Sequence, residues 1–307
     1  MTRVSSFGHQ QVMLSSLLRN QEKVFDNQMT VTTGKKELHY SGLASEVDTL
    51  LGAKNTLLRT QSYLNSTDYV ERQLSTNDIQ LDALFTNAEN VRDTVLNAIA
   101  MEETFSLEEA LNDAFTSMIS ALNTRIGGVY IFSGARTDVP PVNASDLTDL
   151  VAAAAATDLF ENDNRIPTAK IGQNTEMEYG ILADDVAGDI FTAMKNLADF
   201  DAGAFGPIDG QLTPVQRTFL EGELSTLESA IDTIQLVIAR NGNRQQSLEN
   251  TMNQHLEGEA FLKVFISDIE DADIAEAITN LENNQVALQA SYQITSQLSQ
   301  LSLLNYI

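Results

Sequence analysis

The sequence predicts a mainly α protein: long antiparallel heptad-bearing helices forming a rod, a terminal helical coiled coil, and a small α+β insertion domain. Three observations predict it. The five prolines fall at 140, 141, 167, 207 and 214, so residues 1–139 and 215–307 contain none. Proline costs about 3 kcal/mol inside a helix, and both flanks are free of that cost. On both flanks, apolar residues recur in alternating steps of three and four, the period of a seam that faces another helix. The last twenty-one residues, ALQASYQITSQLSQLSLLNYI, carry no charged side chain in a chain of formal net charge -25. Chain ends are usually polar and loosely held, so this one is built to be covered.

The first stripe steps through Val4, Phe7, Gln11, Leu14, Leu18, Gln21 and Phe25. A second runs through Val70, Leu74, Asn77, Leu81, Leu84, Ala88, Val91, Val95 and Ala98, with Asn77 its one polar member. Ser106-Leu107-Glu108-Glu109 forms a capping box. It opens a shorter amphipathic helix through Leu107, Leu111, Phe115, Met118 and Leu122, which Gly127-Gly128 stops. Beyond the glycines, VYIFSG is β-branched and aromatic and reads as a strand or hairpin arm.

Residues 137–212 hold fourteen Asp and Glu against three Lys and Arg, an alanine run at 152–156, and the alternating segment KIGQNTEMEYGIL. They read as a solvated, acidic α+β insertion in which 185–200 forms one amphipathic helix. Thr213-Pro214 supplies an N-cap followed by proline at the first helical position. The next stripe passes through Leu220, Leu224, Leu227, Ile231, Ile234, Ile238, Asn241, Gln245, Leu248 and Met252. A helix over 215–265 would be on the order of 75 Å long, hence the rod. Ser267-Asp268-Ile269-Glu270 is a second capping box and places a hinge near residue 267.

The final stripe is Ile274, Ile278, Leu281, Gln285, Leu288, Tyr292 and Thr295. Because the arms run out and back, it should lie antiparallel to the first stripe and cover it. Val12, Leu17 and Val24 lie off the first stripe, and Ile294, Leu298, Leu301 and Leu304 off the last. A lone helix pair is marginal in water, so both ends are expected to be weakly ordered in one molecule and to fold together among copies packed around a common axis. The candidate assembly interface is Val4, Phe7, Leu14, Leu18, Phe25, Ile274, Ile278, Leu281, Leu288, Tyr292, Leu298 and Leu301. The expected domains are 1–42 with 268–307 as the terminal assembly domain, 43–136 with 213–267 as the central helical rod including a hairpin near 127–136, and 137–212 as the exposed insertion.

Composition narrows function. With 43 Asp and Glu against 18 Lys and Arg, the surface repels nucleic acid and anionic lipid. Absence of cysteine removes disulfides, thiolate zinc sites and thiol catalysis. The N-terminal stretch MTRVSSFGHQQVMLSSLLRN does not read as a Sec signal peptide, because Gln10 and Gln11 interrupt its apolar residues. No run of eighteen apolar residues occurs, and composition alone reads as a soluble cytoplasmic protein.

Catalytic and cofactor chemistry finds no foothold, and no catalytic, metal or cofactor residue is predicted. His9, His39 and His255 fall in separate segments without ligand spacing and read as ordinary surface or helix-face residues. Neither a nucleophile elbow nor a glycine-rich phosphate loop is present, and Gly34-Lys35 lacks the upstream glycine a phosphate loop needs. Asp268, Glu270, Asp271 and Asp273 suggest calcium, yet Ala275 and Glu276 occupy positions where a calcium loop wants an oxygen ligand and its turn glycine. Helix N-terminal acids favoured by the macrodipole explain them better. Tyr130 and Phe132 read as core residues.

The segment SDIEDADIAEAITNLENNQVALQASYQITSQLSQLSLLNYI, with its Ile269-Glu270-Asp271-x-Asp273 run, resembles the end of flagellin-type axial proteins. GGVYIFSGARTDVPP at 127–141 and the closing LSLLNYI resemble the hook-filament junction members of that superfamily. TGKKELHYSGLAS at 33–45 sits where flagellins turn after their first helix and matches that turn at Gly34-Lys35 alone. The resemblance implies a non-enzymatic flagellar protein, exported by the flagellar type III apparatus without a cleaved signal peptide. It would form a layer between the hook and the extracellular filament and transmit torque. It also implies the partners: further copies of this chain in a ring or short helical layer, the hook-side junction protein FlgK, flagellin, and a flagellar export chaperone. Two alternatives stay open, a flagellin filament subunit and a cytosolic coiled-coil scaffold or chaperone.

Overall fold

The structure, a computed structural model, describes residues 2–37, 39–43, 45–104 and 107–304, leaving aside the side chains of 2–7, 9, 10 and 298–304. The elements in chain order are α1 (Thr2–Thr33), α2 (Val47–Met101), β1 (Glu103–Thr104), α3 (Leu107–Leu122), β2 (Arg125–Ile126) and β3 (Val129–Tyr130). They continue with α4 (Leu147–Ala152), a 3₁₀ turn at Ala156–Leu159, β4 (Thr168–Lys170), β5 (Glu176–Glu178), α5 (Ala183–Asp201), β6 (Gly210–Gln211), α6 (Pro214–Glu270) and α7 (Ile274–Leu304). The described strands form three two-stranded antiparallel ladders, β1 with β6, β2 with β3 and β4 with β5. The fold is mainly α, as its periodicity predicts. The chain divides into two compact units, 60–256 and 1–59 with 257–307.

In the 60–256 unit, all nine residues of the Val70–Ala98 stripe are buried. Their partners Leu220, Leu227, Ile231, Ile234, Asn241 and Leu248 on α6 are buried as well. Leu107, Leu111, Phe115, Met118 and Leu122 of α3 join this core, together with Val186, Ile190, Phe191, Met194 and Leu197 of α5. Phe191 stacks on Phe160 at 5.3 Å and tilts against Phe115 at 4.8 Å. The acidic stretch 137–212 thus keeps its carboxylates outward while α5 contributes an apolar face to the core of α2, α3 and α6. α3 ends at Leu122, earlier than the glycines. Gly127 (φ 60°) and Gly128 (φ 90°) instead make the tight turn between β2 and β3, where a left-handed backbone at both central positions suits glycine.

The Thr213-Pro214 start is a full capping box. Gln216 N–H donates to Thr213 Oγ1 at 3.3 Å, and Thr213 N–H donates to Gln216 Oε1 at 2.9 Å. The buried Gln216 amide also donates to the Phe205 and Pro207 carbonyls. At the far end of α6 the expected hinge at 267 is corrected. Ser267 lies within the helix and its hydroxyl donates to Asp271 Oδ2 at 2.6 Å. The break falls at 271–273, where Asp273 Oδ1 accepts from the Ala275 and Glu276 amides and caps α7. Asp273 has the reach because its side chain, unlike that of Ser267, precedes a true helix start. The first capping box begins at Ser106, which lies outside the described residues.

Candidate assembly interface

Within the unit of 1–59 and 257–307, α1 lies along α7. Asn20 Nδ2 donates to Ser291 Oγ at 2.9 Å, Gln21 Nε2 donates to Tyr292 OH at 2.6 Å, and Lys35 bridges Asp271. Early residues of one helix meet late residues of the other, so the pair is antiparallel, as expected.

The faces that meet differ from the expected stripes. The half-buried positions of α1 include Met13, Leu17, Asn20, Val24, Asn27 and Val31, a stripe one residue behind the predicted heptad. On α7, Ala277 is buried and Leu281, Asn284, Leu288 and Ser291 are half-buried. Leu17 and Val24, read as off the stripe, are inside the pair. The cause is that α1 carries two apolar stripes one position apart, and both satisfy a 3.5-residue period. The stripe interrupted by the small amides Asn20 and Asn27 meets Ala277 and Ser291. The bulkier one points away.

Of the predicted interface residues, Leu14, Leu18, Phe25, Ile274, Ile278 and Tyr292 are 41 to 60 % exposed. Leu281 and Leu288 are half-buried between the helices. The side chains of Val4, Phe7, Leu298 and Leu301 lie outside the described residues. Val12, Val286 and Ile294 add to the exposed apolar surface. Large apolar side chains gathered on one pair of helices mark an interaction surface more than isolated ones do.

A charged clasp holds the end of this pair where α1 stops and α7 starts, and periodicity gave no hint of it. Gly34 (φ 72°) ends α1, and its carbonyl accepts from the Ala272 amide at 2.9 Å while Lys36 N–H donates to the Glu270 carbonyl at 2.8 Å. Lys35 Nζ donates to Asp271 Oδ1 at 2.6 Å and Glu270 Oε2 at 3.1 Å. Lys54 of α2 takes the other Glu270 oxygen and lies 5.6 Å from the centre of the Tyr40 ring. Lys36 reaches the Asp268 carbonyl. The hydrogen bond to Asp271 holds the Lys35 ammonium above its ordinary range, and that to Glu270 does the same for Lys54. Burial pushes Glu270 upward, but the hydrogen bonds and charges of Lys54 and Lys35 prevail and hold it low. Asp271 is held low by Lys35 and by Ser267. The macrodipole reading of these acids therefore applies to Asp273. Glu270 and Asp271 serve as lysine partners.

Among the described residues, no group of three or more His, Asp or Glu is placed to hold a metal ion, and no helix is long and apolar enough to cross a membrane. His39 is exposed, and the His9 side chain lies outside those described. His255 stacks on Tyr63 at 5.6 Å, with Nε2 2.7 Å from the Ile171 carbonyl oxygen.

These features define a class: a mainly α chain with one unit in which its two ends pair antiparallel and another in which long helices form a core bearing an α+β insertion. The family model for the bacterial flagellin C-terminal helical region matches residues 224–307, which hold most of α6 and all of α7. A solved Vibrio parahaemolyticus protein assigned as a flagellar hook-associated protein superposes with a TM-score of 0.54 at 17 % identity, covering 74 % of this chain and 99 % of that one. Bacillus cereus FlgL superposes with a TM-score of 0.53 at 12 % identity, covering 71 % and 99 %. No curated protein matches. The chain has the fold of these solved proteins, and its residues 224–307 are similar to the flagellin C-terminal helical region.

Proposed function

We propose that the chain is a non-enzymatic structural protein of the bacterial flagellum, of the FlgL type. It forms the junction layer between the hook-side junction protein FlgK and the flagellin filament, is required for filament attachment, and transmits torque. One observation carries this reading. The paired ends seat Leu17, Val24, Leu281 and Leu288 between them along with small and amide side chains, and leave Leu14, Leu18, Phe25, Ile274, Ile278 and Tyr292 outside. A helix pair that leaves a second set of large apolar groups outside its own seam is made to bury them elsewhere, and identical copies in a ring or short helical layer are the simplest source of complementary faces. Many interdigitated side chains, each weakly attractive, then resist twist collectively.

On this reading the terminal residues 1–42 with 268–307 form the inner assembly domain, 43–136 with 213–267 the rod, and 137–212 the outward acidic surface. Export without a cleaved signal, in the care of a flagellar chaperone, places the protein outside the cell. The match of 224–307 to the flagellin C-terminal region favours one alternative, the filament subunit itself. Immunogold labelling of isolated flagella separates the two. A single band at the hook boundary is expected; continuous decoration establishes a flagellin, and confinement to the cytosol refutes both.

A further inference from the structure

The hairpin of β4 and β5 lies across α2 and α6 where their shared seam turns polar. Ile171, at the end of β4, is 1 % exposed and packs with Val70 and Leu74 of α2 and Leu248 of α6, and Ala169, Met177 and Tyr179 complete this small cluster. Polar anchors reach the hairpin from both helices. From α2, Asn77 Nδ2 donates to the Tyr179 carbonyl at 3.0 Å, and Tyr69 meets the Tyr179 ring edge-on at 5.7 Å. From α6, His255 Nε2 lies 2.7 Å from the Ile171 carbonyl oxygen, while Arg244 donates to the Gly180 carbonyl at 3.3 Å and to Glu178 Oε2 at 3.2 Å.

The seam beneath differs from the rest of the core. From Leu81 to Ala98 the buried stripe of α2 is wholly apolar, whereas Thr67, Gln73 and Asn77 are buried in the stretch before it, and Asn241 on α6. Asn241 and Gln245 both donate to the Leu74 carbonyl, at 3.0 and 3.1 Å. The Oδ1 atoms of Asn77 and Asn241 are buried and accept no hydrogen bond from the protein. A buried acceptor left unpaired is costly, and water removes that cost. Beside this stretch runs an open groove of ≈ 410 Å³ lined by Glu71, Ser75, Gln245, Gln246 and Glu249, among others.

We propose that the β4–β5 hairpin is a strap that holds shut a seam poised to open. With the strap down, the polar seam is covered and the two helices are held in register through the Leu74 carbonyl. With it lifted, water reaches both asparagine oxygens, the penalty for opening falls, and this stretch of α2 and α6 parts while the apolar core beyond Leu81 stays closed. The insertion thereby controls the rigidity of the helix pair, whatever the protein assembles into.

Residue-resolved hydrogen exchange on the full chain tests this. The variant Arg244→Ala/His255→Ala removes the α6 anchors. It is expected to speed exchange at least about tenfold for amides of 67–77 and 241–252, with 84–98 and α3 unchanged. Adding Asn241→Leu, at a position whose hydrogen bond goes to the Leu74 carbonyl and not to the strap, is expected to return exchange toward the wild-type rate, because one of the two orphaned oxygens that gain from water is then gone. An equal rise in α3 overturns the proposal, since the strap would then be an ordinary part of the global core. Unchanged exchange in the double variant, or failure of Asn241→Leu to slow it, also overturns it.

Discussion

Lys35 and Asp271, 236 positions apart in the chain, form an antiparallel backbone bridge, and the Lys35 ammonium donates to the Asp271 carboxylate at 2.6 Å. Glu270, only 12 % exposed at its side chain, is shared between Lys35 and Lys54. Lowered carboxylate pKa values contribute stability that is present above the ordinary values of 3.8 and 4.5 and lost as pH falls through the lower folded values. Raised lysine values contribute stability that is present below 10.5 and lost as pH rises through the higher folded values. The α1–α7 pairing should therefore hold across the neutral range and weaken at both extremes. Because Lys35 and Asp271 are partly exposed, the Lys35→Met loss should be modest, about 0.5–1 kcal/mol, and should shrink in high salt. Nuclear magnetic resonance of residues 20–33 and 277–291 across a pH series would read both limits.

Gly34 permits the clasp to close. Its φ of 72° is left-handed, while its amide donates to the Thr30 carbonyl and its carbonyl accepts from Ala272. Any β-carbon is strained there by roughly 1–2 kcal/mol. There is open space around the position, so strain alone should act. Gly34→Val should loosen the terminal pair, and Gly34→Asn should be tolerated better, because asparagine accepts this conformation. Thermal melts that rank glycine, asparagine and valine in that order are the expected result.

Tyr179 offers a readout in the other unit. Burial first, then the hydrogen bond and charge of Tyr69, push its hydroxyl up to about 12. An acid whose folded pKa is raised contributes stability that is complete below the ordinary value of 10.0 and lost as pH climbs toward the folded value. The 60–256 unit should therefore lose stability between about pH 10 and 12, and less so in Tyr179→Phe. Spectrophotometric titration should show the highest phenolate step vanish in that variant.

How much of this was legible follows from what each residue competes with. The Val70–Ala98 stripe declared its buried face unambiguously, since its heptad positions are apolar but for Asn77 and no second stripe rivals them. Thr213 and Pro214 announced a helix start through local chemistry alone, whereas the part of Gln216 in the capping box emerged with the structure. On α1 the same reasoning misjudged the inward face, because Leu14, Leu18 and Phe25 outrank Leu17 and Val24 in bulk, and bulk indicates burial without indicating by what. Gly34-Lys35 and Glu270-Asp271 each stood out as a motif. Their meeting did not, since a contact spanning 235 residues leaves no periodic trace. The strap was legible as an alternating segment, but its landing place on Val70, Leu74 and Leu248 depends on tertiary packing.

The two stripes of α1 make opposite predictions that one experiment compares. Phe25 is 60 % exposed and touches the outside of the pair, so Phe25→Asp should leave the melting temperature within the effect of about 0.5 kcal/mol expected of a surface change. Leu17 faces α7, so Leu17→Asp places a carboxylate in a half-buried seam and should loosen the pair by roughly 1–3 kcal/mol. Leu288, half-buried on the other helix, belongs with Leu17, and Leu288→Asp should disturb the pair itself. Assembly should fail in all three, but only Phe25→Asp should fail with its isolated fold intact. Secretion into flagella, sedimentation of the purified chain and its thermal melt separate these cases. If Phe25→Asp assembles like the wild type, the outward stripe is not the face that copies share, and the interface must be sought elsewhere on the molecule.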